Sequence, residues 1–283
     1  MPSTELPPYF WLYQAAFLLQ IPALLLFMAY ALRARRAFSL TATGCLSASL
    51  ALHLLFTGFS ALVSGRLPLA SGFDALSLWG LALTGLVVWV EWRHQLGLLG
   101  AFLTPLSLLT LLMGFRFAHS AAQPIPGLQD WRLLVHVTLA MAAYALFTGA
   151  AGVGGAYLVQ ERQLKAKRMV QLLYQLPSLQ ELDALLARLT LAGVSALAAG
   201  LAAGFAWRLS YDGSLGLDDP KVGFSLGLGL VYAVGLVLRR RGAISGRRLA
   251  WLTVLVFVVL FLGFYLVNLY LGGHGFLKNA GAR

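Results

Sequence analysis

Apolar residues fall in eight long runs divided by short polar or charged stretches, at residues 10–32, 39–64, 73–90, 95–115, 132–160, 189–207, 222–238 and 249–271. Each is at or near the roughly 20 residues that carry a helix across hydrocarbon. The pattern predicts an all-α fold: a polytopic membrane helical bundle of about eight transmembrane helices forming one integral membrane domain over residues 1–283. The third run is short, and a re-entrant segment there would reverse the sidedness of everything after it. The fifth is long and is expected to continue beyond the lipid. Leu176-Pro177-Ser178 breaks the chain after it, and Ser178 with Glu181 three residues on has the spacing of a capping box opening a short amphipathic helix.

The positions of the cationic residues decide sidedness. One set of connections holds Arg33, Arg35 and Arg36; Arg93; Arg162, Lys165, Lys167, Arg168 and Arg188; and Arg239, Arg240, Arg241, Arg247 and Arg248. The other holds Arg66, Arg116, Arg132, Arg208, Lys221, Lys278 and Arg283, half as many. The first set is expected in the cytoplasm, which places both termini outside. The outer connections are then 66–72, 116–131 and 208–221, with the tail from Gly272. The basic connection 161–188 reads as a solvated cytoplasmic connector, with a partner-docking surface as the alternative.

Composition agrees with this reading. The chain is 59% hydrophobic and 11% charged, with mean hydropathy +0.79, against about 25% charged for a soluble domain. Its net charge of +11 sits at span ends, where it serves topology and lipid contact, and no basic domain exists to bind nucleic acid. Cys45 is the single cysteine, which excludes an internal disulfide and a multi-cysteine metal site. The start of the chain has neither a basic n-region nor a small-residue cleavage site, so the first span is expected to be retained.

Histidine placement carries the candidate chemistry. His136 lies about one helical turn after Trp131 and Arg132, at the outer end of the fifth span, and shares a face with Ala140, Ala143 and Tyr144. Small residues there would let something flat approach the helix. His274 follows Gly272-Gly273 at the outer end of the eighth span, and His53 lies inside the second. An imidazole beside or within a span ligates metal or relays protons, or is an interfacial or packing residue. Two imidazoles facing each other are what a bis-histidine haem site requires. His119 and His94 fall in connections and read as solvated. No span holds two histidines, which argues against a transmembrane electron-carrying b-type cytochrome. His-Glu-x-x-His, Gly-x-Ser-x-Gly, Cys-x-x-Cys-His and Walker-type glycine loops are absent. No internal repeat supports an inverted-repeat transporter. Gly200-x-x-x-Gly204 and Gly223-x-x-x-Gly227 read as helix-packing faces.

Four stretches in order resemble one family: His136 to Tyr144 running into YLVQERQLKAKR at 157–168; LPSLQELDALLARLTLAG at 176–193 with the glycine-rich span to Trp207; Asp219-Pro220-Lys221; and Asn268 followed by His274 in NLYLGGHGF. Together they look like the cytochrome c assembly family of haem-handling membrane proteins, of the CcsA, ResC and CcmC type. The assembly-like core would cover about residues 50–275. The family's tryptophan-rich outer loop corresponds to 207–221. There this chain keeps Trp207, Tyr211 and Asp219-Pro220-Lys221 but lacks the other tryptophans, as in the reduced, HemX-like branch.

The resemblance implies haem b bound at the outer face, with His136 and His274 as axial ligands of the iron and Asp212, Asp218, Asp219 or Asn268 as partners for their second ring nitrogens. Lys221 and Arg132 would neutralise the propionates, Trp207 would stack, and His53 would stand where some members carry a histidine linked to haem entry. The expected role is carrying or presenting haem for cytochrome c maturation in a bacterial cytoplasmic membrane, beside a second assembly protein and the apocytochrome. The chain itself is not expected to be an enzyme, because covalent attachment needs thiols on a partner. Two alternatives stand: a regulatory or assembly factor of haem biosynthesis without stable haem binding, and a small-molecule or metal permease using His53 and the aspartates.

Overall fold

The computed structural model describes residues 6–33, 35–64, 71–94, 97–118, 130–166, 177–215, 217 and 219–270. After a single 3-10 turn at Pro8–Phe10, these form α1 (Trp11–Arg33), α2 (Arg36–Ser64), α3 (Gly72–His94), α4 (Gly97–Phe117), α5 (Trp131–Lys165), α6 (Leu179–Asp212), α7 (Pro220–Arg240) and α8 (Gly246–Tyr270). All eight are long and apolar enough to cross a membrane. The third run, from which re-entry was conceivable, is a full helix of 23 residues.

One boundary differs from the sequence expectation. The short helix opened by Ser178 and the span 189–207 are a single element of 34 residues. The capping box forms as expected: Ser178 Oγ accepts from the Glu181 amide at 3.2 Å, and the Ser178 amide donates to Glu181 Oε2 at 2.8 Å. Nothing after it interrupts the helix, because Leu182, Leu186 and Leu189 continue one buried face into the bundle. At 1.5 Å per residue α5 and α6 are each about 50 Å long, well beyond a hydrocarbon layer of about 30 Å. Both therefore project past the lipid. The other end of α6 stops at Gly213, whose φ of 73° is the left-handed conformation glycine adopts without penalty. Asp219 then caps α7, with Pro220 in its first turn. The connection expected at 208–221 is thus helical to residue 212 and again from Pro220; among the described residues between, 213–215, 217 and Asp219 lie outside helix.

The centre of the bundle is α3, α4 and α5, which bury half or more of their most apolar stretch; the other helices bury about a quarter. Glycines let α5 reach its neighbours. A Cβ on Gly149 would lie 2.5 Å from Leu86 of α3, and one on Gly152 would collide with Leu103 of α4. A Cβ on Gly154 would lie 2.8 Å from Thr253 Oγ1 and 3.1 Å from the Ala250 carbonyl of α8. On the α6 side, Gly193 makes room for Phe147 of α5.

Buried polar groups join the first four helices. Gln20 of α1 donates to Thr84 of α3 at 2.9 Å and to Ser49 of α2 at 3.4 Å, while its carbonyl accepts from Ser107 of α4 at 2.7 Å. Tyr13 donates to the Leu111 carbonyl at 2.8 Å. Satisfying these groups inside the protein is obligatory where no water competes. At the arginine-rich end of α5–α8, Arg239 pairs with Asp183, and Glu161 accepts from Lys165 at 2.6 Å and faces Arg247 at 3.4 Å.

Two adjacent glycines separate contact from propensity. Gly154→Val drives a side chain into the α8 backbone and is expected to cost about 1–3 kcal/mol. Gly155 has open space around it, so Gly155→Ala is expected to be neutral or to stabilise by up to about 1 kcal/mol. Unfolding in detergent measures both, and equal losses would show that the α5–α8 approach is not what Gly154 supports.

Candidate functional site

His136 stands one turn and a half into α5, against the turn of α6 from Gly200 to Gly204, two to three turns before that helix ends. Its half-buried ring occupies the volume that a side chain at Gly204 would fill: a Cβ there would lie 2.6 Å from His136 Nδ1 and 2.8 Å from Cε1. One turn earlier on α6, the Gly200 carbonyl accepts a hydrogen bond from Nδ1 at 2.6 Å. A carbonyl can only accept, so Nδ1 carries the proton. In the neutral ring the lone pair is then on Nε2, which has no hydrogen-bond partner among the described residues. This is the arrangement that orients a metal-ligating imidazole, its second nitrogen tied to backbone.

The expected partner was different. Asp212, Asp218, Asp219 and Asn268 were candidates for the second ring nitrogen, yet for His136 that role is taken by the Gly200 carbonyl. Asp219 is engaged elsewhere, accepting from the Lys221 amide at 2.9 Å as the α7 cap and facing Arg208 at 3.7 Å. The face His136 shares with Ala140, Ala143 and Tyr144 is also filled by protein. Ala143 and Tyr144 are buried, and Ala140 and Leu139 pack against Gly200. The small residues there admit α6 rather than a flat ligand.

Other singled-out residues lie on the same ends of α5 and α6 or at the start of α7. Arg132 donates to Ser210 Oγ at 2.5 Å and lies 6.0 Å from the Trp131 ring centroid. Trp207 and Tyr211, one turn apart on α6, stack at 5.4 Å and 13°. Lys221 is exposed at the start of α7. His274 lies outside the described residues, as do Asp218 and His119; the side chains of Asn268, Asp212 and His94 are also outside them.

His53 occupies a separate place, inside the α1–α4 group. It is 1% exposed, its Nε2 hydrogen-bonded with Ser77 Oγ at 2.8 Å and its ring set edge-on to Tyr13 at 5.3 Å. Its Nδ1 has no partner among the described residues. Gly200-x-x-x-Gly204 reads from sequence as a packing face, and that spacing is the available signal for the pair that admits the His136 ring. Ser77, the partner of His53, carries no signal that assigns it to a site.

The geometry defines a polytopic helical membrane protein with an oriented imidazole at one end of its two longest helices. The cytochrome C assembly protein family matches residues 67–274, and the chain belongs to that family. It is 27% identical over 255 residues to Protein HemX of Brevibacillus brevis, covering 90% of this chain and 94% of that one. It is 28% identical over 226 residues to the cytochrome c biogenesis protein CcsA of Guillardia theta (72% of this chain, 74% of that one). With the CcsA of Prochlorococcus marinus strain NATL1A it shares 29% over 239 residues, 73% of this chain and 75% of that one.

If Gly204 matters because of the ring it admits, its effect must vanish with the ring. Gly204→Ala is expected to cost about 1–3 kcal/mol in the natural chain and less than about 0.5 kcal/mol in a His136→Ala background. The readout is a double-mutant cycle of unfolding in detergent; identical costs in both backgrounds would remove the cradle from the explanation.

Proposed function

We propose that this protein holds haem b at the outer face of a bacterial cytoplasmic membrane and carries or presents it for cytochrome c maturation. One observation carries the reading: the His136 ring is fixed by Gly200 and Gly204 with Nε2 as its lone-pair nitrogen. Family membership, and the cytochrome c biogenesis role of the CcsA relatives, give that nitrogen a ligand class. His136 and His274 would hold the haem iron, each through a ring nitrogen, and two such nitrogens would favour a low-spin spectrum.

The surrounding residues fit a porphyrin. The stacked Trp207 and Tyr211 rings offer an aromatic surface at the same end of α6, and Tyr211 is 55% exposed. Arg132 and Lys221 bring positive charge for the propionates, with Asp219 and Arg208 fixing the start of α7 beneath Lys221. Asn268, six residues before His274 in the sequence, is assigned to the second ligand. His53, enclosed by Tyr13 and Phe56, stands apart at the position that the family resemblance links to haem entry. The excess of cations at the opposite ends of α5–α8 supports an outer location for His136 and for both termini. A second assembly protein and an apocytochrome supply the thiols and the covalent step.

Absorption spectroscopy of the purified protein with added haem tests this. The natural chain and His94→Ala should give a Soret band with sharp reduced α and β bands. His136→Ala should lose the low-spin spectrum, and Gly204→Leu, which displaces the ring, should weaken haem binding by at least about tenfold. A natural chain that stays colourless would favour the alternative of an assembly or regulatory factor without stable haem binding.

A further inference from the structure

Helices α5 and α8 leave a polar cleft of about 470 Å³ between their arginine-rich ends, within the usual range of about 300–1,000 Å³ for small-ligand sites. The haem reading makes no use of it. Glu161 is the one carboxylate among its lining residues. It is already matched, accepting from Lys165 at 2.6 Å and facing Arg247 Nε at 3.4 Å. Arg247 remains 56% exposed in that pairing. Arg248, the next residue of α8, also lines the cleft and is exposed. Its guanidinium enters no ion pair, hydrogen bond or ring contact among the described residues. Three cations around one carboxylate leave two positive charges in excess. Trp251, one turn beyond Arg247, is exposed at the edge of the cleft, and Leu255, Val258 and Leu262 continue from it at helical spacing, each close to half exposed.

We propose that this cleft binds the headgroup of cardiolipin, its two phosphates shared between Arg247 and Arg248 of α8 and Lys165 of α5. Guanidinium groups hold phosphate through paired, charge-assisted hydrogen bonds, and the surplus of cations repels a metal ion or an ammonium. Successive helix residues diverge by about 100° around the axis, so Arg247 and Arg248 address different points. Two phosphates joined by a three-carbon link serve both, whereas the single phosphate of phosphatidylglycerol leaves one positive charge unmatched. Haem also carries two anionic groups, but no histidine, cysteine or methionine is among the lining residues to take its iron. The lipid source, rather than a soluble phosphate, follows from the surroundings. The exposed apolar stripe from Trp251 to Leu262 leads out of the cleft along the span, where acyl chains lie, and Trp at a span end is an interfacial anchor. The cation excess assigns this end to the cytoplasmic side, where basic pockets between span ends take such headgroups.

Native mass spectrometry of the full chain, delipidated and loaded in turn with cardiolipin and phosphatidylglycerol, tests the proposal. The natural chain should retain one cardiolipin at least about fivefold better than phosphatidylglycerol, the effect of one further matched charge. Arg248→Gln should lower cardiolipin retention about fivefold with the unfolding temperature unchanged, since the side chain is exposed and unpaired. Arg240→Gln, the same loss of charge at the same end of the bundle but outside the cleft, should leave retention within about twofold of the natural chain. Equal retention of the two lipids, or equal losses in Arg248→Gln and Arg240→Gln, would overturn the proposal and leave only a diffuse attraction of anionic lipid to the basic end. Deacylated cardiolipin competing as well as the intact lipid would point instead to a soluble phosphate, and haem displacing cardiolipin mole for mole would assign the cleft to haem; either result sinks the lipid site.

Discussion

In hydrocarbon, bringing two apolar helices together removes no water from them, so association rests on close packing and on polar groups that find partners inside the protein. Helix α5 meets that constraint by omission. Gly149, Gly152 and Gly154 each give up a side chain toward a different neighbour, receiving Leu86, Leu103 and the α8 backbone at Ala250. Phe147, just before them, projects instead into the gap left by Gly193 on α6 and stacks on Tyr232 of α7 at 4.1 Å. One helix thus sets its distance to α3, α4, α6, α7 and α8 within about two turns. Shifting α5 by a residue would put side chains where backbone now passes.

The candidate site is a local use of the same device. Near the end of the α5–α6 seam the omission at Gly204 is filled by an imidazole from across the seam, not by an aliphatic group. The close approach that Gly200 permits brings its carbonyl within 2.6 Å of Nδ1. Packing and chemistry are therefore the same contact: the seam cannot open without releasing the ring, and the ring cannot turn without leaving its carbonyl. That coupling holds a single nitrogen in one direction, where a side chain on a flexible loop would sample many.

Much of this was legible in the sequence. Eight spans, the Ser178–Glu181 cap and the Asp219-Pro220 start of α7 follow from hydropathy and end chemistry, which are local properties. His136 was visible as a span-end imidazole. What was not legible depends on which helix lies opposite. Gly200-x-x-x-Gly204 occurs in a chain with 30 glycines, and nothing local separates a pair that admits a ring from one that admits a leucine. The partner of His136 escaped for a related reason: the candidates were the side chains of Asp212, Asp218, Asp219 and Asn268, but the acceptor is main chain, and a backbone carbonyl has no sequence signature. The merging of the expected short helix with the sixth span was missed because the polar residues at 179–188 mark exposure to water, not an end of the helix.

The first two helices show how far the constraint reaches beyond the stretch that defines the family. Residues 67–274 begin after α2, yet α3 and α4 carry polar groups facing inward that their own pairing leaves incomplete. Ser77, Thr84 and Glu91 recur every seven residues on α3, on one side of the helix. Each meets a group from outside the stretch: His53, Gln20 and Ser39. On α4, Ser107 donates to Gln20, and the Leu111 carbonyl takes the Tyr13 hydroxyl. Without α1 and α2, Ser77 and Glu91 would lose these partners where an unsatisfied polar group costs several kcal/mol, and Thr84 and Ser107 would keep only bonds to their own helix backbone. The pair is thus an integral wall of the bundle, and its three polar levels fix α3 against α5 through Trp79, whose indole donates to Thr148 at 3.2 Å and packs on Tyr144. Tyr144 lies two turns along α5 from His136, so the placement of the imidazole end is tied through α3 to a glutamine on the first helix.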